Sequence, residues 1–157
     1  MASINGIEIN PITEFIDHEG FLIYQGTVYY NGEELGHWSQ NYNGVPYDDF
    51  AFDYHILDEE IARFVNSDYS DGDPFCAEGL LMAEIVSLNE VEKFFEEAIA
   101  EGYNIVVASH GVKVDMYATV LDDEDDITQT QDYIDFASRR NDKVFVYRSL
   151  DDFNVVL

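Results

Sequence analysis

The sequence predicts one α+β domain over residues 1–157, with an N-terminal antiparallel β-meander, helices in the middle and a C-terminal β-α-β segment. Asn-Gly pairs separate alternating apolar stretches in the first third of the chain. Further on, apolar residues recur at helical spacing. The composition is 46% hydrophobic and 15% aromatic, which suits a packed core and not a disordered acidic chain.

The N-terminal strands are predicted from the turns between them. Asn and Gly tolerate the positive φ angles of a two-residue type I′ hairpin turn. The strongest hairpin joins residues 21–30, which are rich in aromatic and β-branched residues, to residues 33–39. Residues 15–18 form a further short strand, and the meander ends near residue 50. Three pairs supply the turns: Asn5-Gly6, Asn31-Gly32 and Asn43-Gly44.

The two-residue loop of the central hairpin also predicts its register. In a regular ladder Val28 faces Leu35, and Tyr24 faces Ser39. Because alternate residues share a face, Leu22 then lies on the same face as these side chains.

The strongest helix covers residues 88–101. Ser87 and Glu90 form a capping box before it, and Gly102 stands at its C-terminal end. Apolar residues inside this segment follow the helical period, which predicts one buried face.

Shorter elements complete the α+β pattern. Residues 57–65 begin with three acidic residues, which favour a helix N-terminus. Residues 75–86 form a weaker helix, because Gly79 lowers the helical propensity. The remaining elements are strands at 103–108 and 112–120 joined around His110-Gly111, an acidic loop at 121–126, a helix at 128–140, and strands at 143–147 and 154–156.

The charge of the chain limits its partners. There are 33 acidic residues against 7 Lys and Arg, a formal net charge of −26. Residues 1–92 hold nineteen acidic residues and a single base, Arg63. Nucleic acids and anionic membranes attract clustered Lys and Arg. We therefore expect no direct binding to nucleic acid or membrane, and a basic protein as the partner.

Several classes of protein are excluded by what the sequence lacks. The residues after Met1 lack the basic segment and the long apolar segment of a secretory signal, and no apolar run is long enough to span a bilayer. We therefore expect a cytoplasmic protein. Cys76 is the only cysteine, so it either fills the core or pairs with a histidine as a nucleophile. No phosphate loop or zinc motif is present, and we assign no catalytic residue, metal or cofactor.

The acidic residues gather in two stretches, 48–60 and 122–126. Spread evenly over roughly 8,000 Å² of surface, 26 net charges average about one per 300 Å², roughly a third of the density on DNA. Gathering them on one face raises the local field and attracts a cationic cleft. The candidate partner-binding residues are Tyr47, Asp48, Asp49, Asp53, Asp58, Glu59, Glu60, Asp122, Asp123, Glu124, Asp125 and Asp126.

Aromatic residues accompany the first acidic stretch. Such residues often anchor protein interfaces, and neighbouring acids would steer a basic partner toward them. In the alternative interpretation, Phe50, Phe52 and Tyr54 alternate along a strand and point into the core. The full set is Tyr42, Tyr47, Phe50, Phe52 and Tyr54.

The acidic stretches also admit other interpretations. Solvation alone, or adaptation to high salt, favours Asp and Glu over Lys. A Ca²⁺ loop needs Gly at its sixth position, where Ile127 stands, and residues 68–73 lack the ligand spacing. Asp53 and His55 are two residues apart and could share a strand face toward a metal.

A folded chain of this size and charge resembles the acidic anti-defence proteins of phages and plasmids, the anti-CRISPR and antirestriction classes. The resemblance rests on the single base in residues 1–92 and on the stretches 48–60 and 122–126. It implies a non-enzymatic inhibitor, in some cases a DNA mimic, that binds the basic nucleic-acid cleft or nuclease domain of a bacterial defence enzyme. The alternatives are a solvated or salt-adapted domain without such a partner, and a Ca²⁺-binding module.

Overall fold

The computed structural model describes residues 1–43, 45–110, 114–140 and 143–157, with the backbone alone for residues 42, 43, 45 and 46. By its internal contacts the chain divides into two compact units, residues 1–86 with 154–157 (unit 1) and residues 87–153 (unit 2). The predicted α+β class is confirmed, with antiparallel strands toward the N terminus and a β-α-β segment toward the C terminus.

The elements follow in chain order. The strands are β1 (Ser3–Ile4), β2 (Ile7–Ile9), β3 (Thr13–Ile16), β4 (Leu22–Tyr30), β5 (Glu33–Asn43), β6 (Val45–Phe50), β7 (Ile105–Ser109), β8 (Asp115–Thr119), β9 (Val144–Tyr147) and β10 (Asn154–Val155). The helices are α1 (Asp58–Val65), α2 (Ala77–Ala100) and α3 (Gln131–Ser138), with 3₁₀ turns at Tyr54–Leu57, Ile127–Gln129 and Leu150–Phe153.

Unit 1 is built on a seven-stranded sheet, in which six strands follow the order β10-β1-β2-β4-β5-β6 and the seventh, β3, pairs with β4. The strand β4 is long enough to pair with both β2 and β3 on one side and with β5 on the other. All pairings are antiparallel except that of β1 with β10. The predicted meander is therefore present, with β6 at one edge and a C-terminal strand, β10, added at the other.

Two of the three Asn-Gly turns are confirmed. Asn5 and Asn31 both have a φ of 50°, and the glycines that follow have φ angles of 78° and 83°. These left-handed angles at both loop positions are what a type I′ turn requires. The third pair, Asn43-Gly44, lies partly outside the described residues.

The predicted register of the β4–β5 hairpin is wrong beyond its first two pairs. The ladder shifts between Tyr29 and Val28, so that Val28 pairs with Gly36 and not with Leu35. Leu35 is the additional residue of a β-bulge, and Gly36 has a φ of 148°, a backbone angle that favours glycine.

The bulge moves every later residue of β5 to the opposite face. Tyr24 pairs with Gln40 in place of Ser39, and Gly26 pairs with Trp38. As a result Trp38 and Gln40 are buried.

Helix α2 is continuous through Ser87, so the predicted capping box is wrong. Buried side chains recur along its length without a break at that point, and this continuous face outweighs the local start signal. The C-terminal end agrees with the prediction. Gly102 has a φ of 100°, and the Tyr103 amide donates to the Ala98 carbonyl at 3.0 Å, as in a Schellman motif.

Unit 2 holds a three-stranded antiparallel sheet in the order β8-β7-β9. Its central strand β7 is fully buried, and α3 follows β8 before the chain returns as β9. The predicted helix over 128–140 is shorter because Thr130 accepts a hydrogen bond from the Tyr133 amide and caps α3 there. The predicted turn around His110-Gly111 falls partly on residues 111–113, outside the described part of the chain. The core contains Ile105, Val107 and Ile127, with Tyr117, Leu121, Tyr133, Phe136, Val144 and Val146 packed against them.

Candidate partner-binding surfaces

Most candidate residues of unit 1 lie on the surface of β6, the segment after it and the first turn of α1. Tyr47 is 74% exposed, which is unusual for an aromatic residue in a strand. The exposed acidic residues of this set are Asp49, Asp53, Asp58 and Glu59.

Asp48 is different, because its carboxylate is an internal ligand of unit 1. One carboxylate oxygen accepts hydrogen bonds from the Trp38 indole N–H and the Gln40 side-chain amide, both at 2.8 Å. The Gln40 amide also donates to the Gly79 carbonyl at 2.9 Å and so links the sheet to α2. Burial raises the pKa of Asp48, although the two hydrogen bonds oppose the shift and the charge on Glu78 adds to it.

The contact between Asp48 and α2 explains the glycine that weakened the predicted helix. A Cβ atom at Gly79 would overlap the Asp48 carboxylate. Only glycine allows β6 and the start of α2 to approach this closely. Asp48 is therefore better described as a structural residue that fixes the position of β6 than as a charged residue available to a partner.

Glu60 also lies inside unit 1, where it is only 5% exposed. Its carboxylate accepts a hydrogen bond from the Tyr30 hydroxyl at 3.0 Å and forms an ion pair with the Arg63 guanidinium at 3.3 Å. The hydrogen bond to Glu60 raises the pKa of Tyr30. Arg63 is the only Lys or Arg in residues 1–92, so unit 1 itself contains no second Lys or Arg for its other carboxylates.

The aromatic residues after β6 form a local cluster. Phe50 lies 5.5 Å from Phe52 and 5.0 Å from Tyr54 between ring centroids, and all three are half-buried. The strand ends at Phe50, so the predicted alternation through Tyr54 is wrong. Tyr47 is thus the exposed aromatic of this stretch, while the side chain of Tyr42 is outside the described residues.

Asp53 and His55 do not share a strand face. The Asp53 carboxylate accepts a hydrogen bond from the His55 backbone amide at 3.1 Å and caps a 3₁₀ turn. The His55 ring lies 3.3 Å from Asp58. In the ranges that the structure describes, no three His, Cys, Asp or Glu side chains converge to hold a metal ion.

The second candidate surface is the acidic loop Asp122–Asp126 of unit 2, and all five of its residues are exposed. Asp126 accepts hydrogen bonds from the Thr128 hydroxyl and amide at 2.7 and 2.9 Å, and these bonds lower its pKa. The carboxylates of Asp122, Asp123, Glu124 and Asp125 form no ion pair within the described residues.

The sequence did not point to Trp38, Gln40 or Tyr30 as partners of acidic residues. These contacts join residues that are 8 to 30 positions apart, and two of the three donors reach the inner face only because of the bulge at Leu35. The sequence did contain one signal for a buried acceptor. Trp38 and Gln40 stand at alternate positions of a strand, and both side chains carry hydrogen-bond donors that need acceptors when they are buried.

Comparison with protein families, curated proteins and solved structures finds no match of any of the three kinds. Among the described residues, the helices are too short or too polar to cross a membrane.

Proposed function

We propose that this chain is a non-enzymatic acidic inhibitor that binds the basic nucleic-acid cleft or nuclease domain of a bacterial defence enzyme, of the anti-CRISPR or antirestriction type. It would act in the cytoplasm of the host cell and use neither cofactor nor metal. The observation that carries the proposal is the excess of exposed carboxylates, in the acidic loop and along β6 and α1, that form no ion pair with a Lys or Arg of the described residues.

The charge distribution favours a cationic partner. Unit 1 contains seventeen acidic residues and only Arg63, which is already paired with Glu60. The resulting field attracts a positively charged cleft and speeds encounter with it. The same cleft normally holds nucleic acid, so an acidic protein seated there competes with the substrate.

The direct test is inhibition of DNA cleavage by a purified CRISPR effector nuclease and a purified restriction endonuclease, each titrated with the protein. If carboxylates replace phosphate contacts, inhibition should weaken steeply between about 50 and 200 mM salt. Inhibition that is tight and independent of salt would contradict the electrostatic mechanism, and no inhibition of any nuclease in a broad panel would contradict the proposal.

A matched pair of variants separates the acidic loop from net charge. The loop variant and the control each remove four charges from exposed positions of unit 2. The loop variant should inhibit less, while equal losses would mean that net charge alone acts. The loop variant carries Asp122→Asn, Asp123→Asn, Glu124→Gln and Asp125→Asn, and the control carries Glu96→Gln, Glu97→Gln, Glu101→Gln and Asp151→Asn.

A further inference from the structure

The strand β6 ends the seven-stranded sheet, and no strand in the described ranges pairs with its outer edge. Soluble proteins usually protect such an edge, because its unpaired N–H and C=O groups can recruit another chain. The direction of these groups follows from the pairing of β6 with β5.

The hydrogen-bond pattern identifies the outward-facing backbone groups. The Ala51 amide donates to the His37 carbonyl at 2.8 Å, in the same register as the ladder of β5 and β6. Hydrogen-bonded pairs alternate along an antiparallel ladder, so Asp49 and Tyr47 also direct their backbone groups toward β5. The N–H and C=O groups of Asp48 and Phe50 therefore point away from the sheet.

The side chains of β6 also alternate between the two faces of the sheet. Tyr47 and Asp49 project from one face, and both are exposed. Asp48 and Phe50 project from the other face, where Asp48 is held by Trp38 and Gln40. The strand is thus fixed by its inner side chains, while its outer edge pairs with no described strand and the side chains of its other face are exposed.

We propose that β6 is a docking strand, to which a basic, extended segment of a protein partner adds as a further strand. This inference rests on the proposed function and names its mode of recognition. Backbone groups of the partner would pair with Asp48 and Phe50. Alternate Arg or Lys side chains would lie over the Tyr47 ring and beside the Asp49 carboxylate.

Charge argues for this occupant over a second copy of the chain. Pairing two β6 strands would bring together two molecules that each carry a net charge of −26. Like charges across a strand pair are destabilising, and acidic residues on an edge are a common defence against self-association. A basic segment would instead be attracted to the acidic residues on and around β6.

The test uses a synthetic peptide of alternating Arg and Val, with a control peptide of the same composition in which Arg and Val form separate blocks. Backbone amide exchange is followed by NMR in the full chain. The alternating peptide should slow exchange of the Asp48 and Phe50 amides by at least about tenfold, while the Tyr47 and Asp49 amides are already protected. The block peptide should give no such protection.

Variants test the side chains. Tyr47→Ala should weaken binding of the alternating peptide about two- to fivefold, which is the range for loss of an exposed cation–π contact. Binding of the peptide without a change at the Asp48 and Phe50 amides would overturn the inference, and so would an absence of binding.

The nuclease assay separates this inference from the proposed function. The double variant Tyr47→Ala/Asp49→Asn is compared with Phe75→Ala/Asp73→Asn, which removes another exposed aromatic residue and one charge elsewhere in unit 1. If the first variant inhibits a nuclease as well as the wild type does, docking on β6 is wrong and the proposed function stands. If the peptide protects the edge but no nuclease is inhibited, docking on β6 is supported and the proposed function is wrong.

Discussion

Replacing Gly79 by alanine should have opposite effects in two backgrounds. In an ordinary helix this change stabilises the folded state by about 1 kcal/mol. Here the new Cβ would overlap the Asp48 carboxylate and displace it from Trp38 and Gln40. Hydrogen bonds to a charged group contribute about 1.5–3 kcal/mol each, and this carboxylate is only partly buried. The net effect of Gly79→Ala should be a loss of about 2 kcal/mol.

The second background removes the obstacle. In Asp48→Ala the space beside residue 79 is vacant, so adding Gly79→Ala should now stabilise the chain by about 1 kcal/mol. Urea unfolding followed by far-UV circular dichroism measures all four members of this double-mutant cycle. The explanation fails if Gly79→Ala stabilises the wild type, or if it destabilises both backgrounds equally.

Three further predictions concern charge and hydrogen bonding. Folding raises the pKa of Asp48, so the folded chain retains this proton to higher pH than the unfolded chain, and stability should fall as pH rises from the ordinary value of 3.8 through the folded pKa. Equilibrium unfolding across that range should show a steeper decline in the wild type than in Asp48→Asn, which retains only the general repulsion among the other carboxylates. Tyr30→Phe should cost about 1 kcal/mol by removing the hydrogen bond to Glu60, whereas Tyr29→Phe on the same strand should be nearly neutral in the same unfolding assay. The chain should be folded in dilute buffer; thermal unfolding that shows a folded state only at molar salt would instead favour the salt-adapted interpretation.

Local signals in the sequence were sufficient where the structure depends on neighbouring residues. The turns at Asn5-Gly6 and Asn31-Gly32 follow from the φ angles that these residues tolerate. The start of α1 at Asp58 and the end of α2 before Gly102 follow from the same kind of local chemistry.

Tertiary contacts decided the remainder. The bulge at Leu35 has no strong local signal, yet it determines which face of β5 is buried. The capping signal at Ser87 was outweighed by a long buried helix face. The sequence identified the acidic stretches but treated their members as equivalent, because the donors that draw Asp48 and Glu60 inward are distant along the chain.

The bulge also makes the tip of the β4–β5 hairpin sensitive to length. Hairpin tips usually accept inserted or deleted residues, because the change stays in solvent. Here deletion of Leu35 would restore a regular ladder and turn Trp38 and Gln40 outward, while His37 and Ser39 would turn inward. A single deletion at this bulge would thereby invert the lining of the sheet and detach Asp48 from its donors, so the strand directly after a two-residue turn should tolerate a change of length poorly.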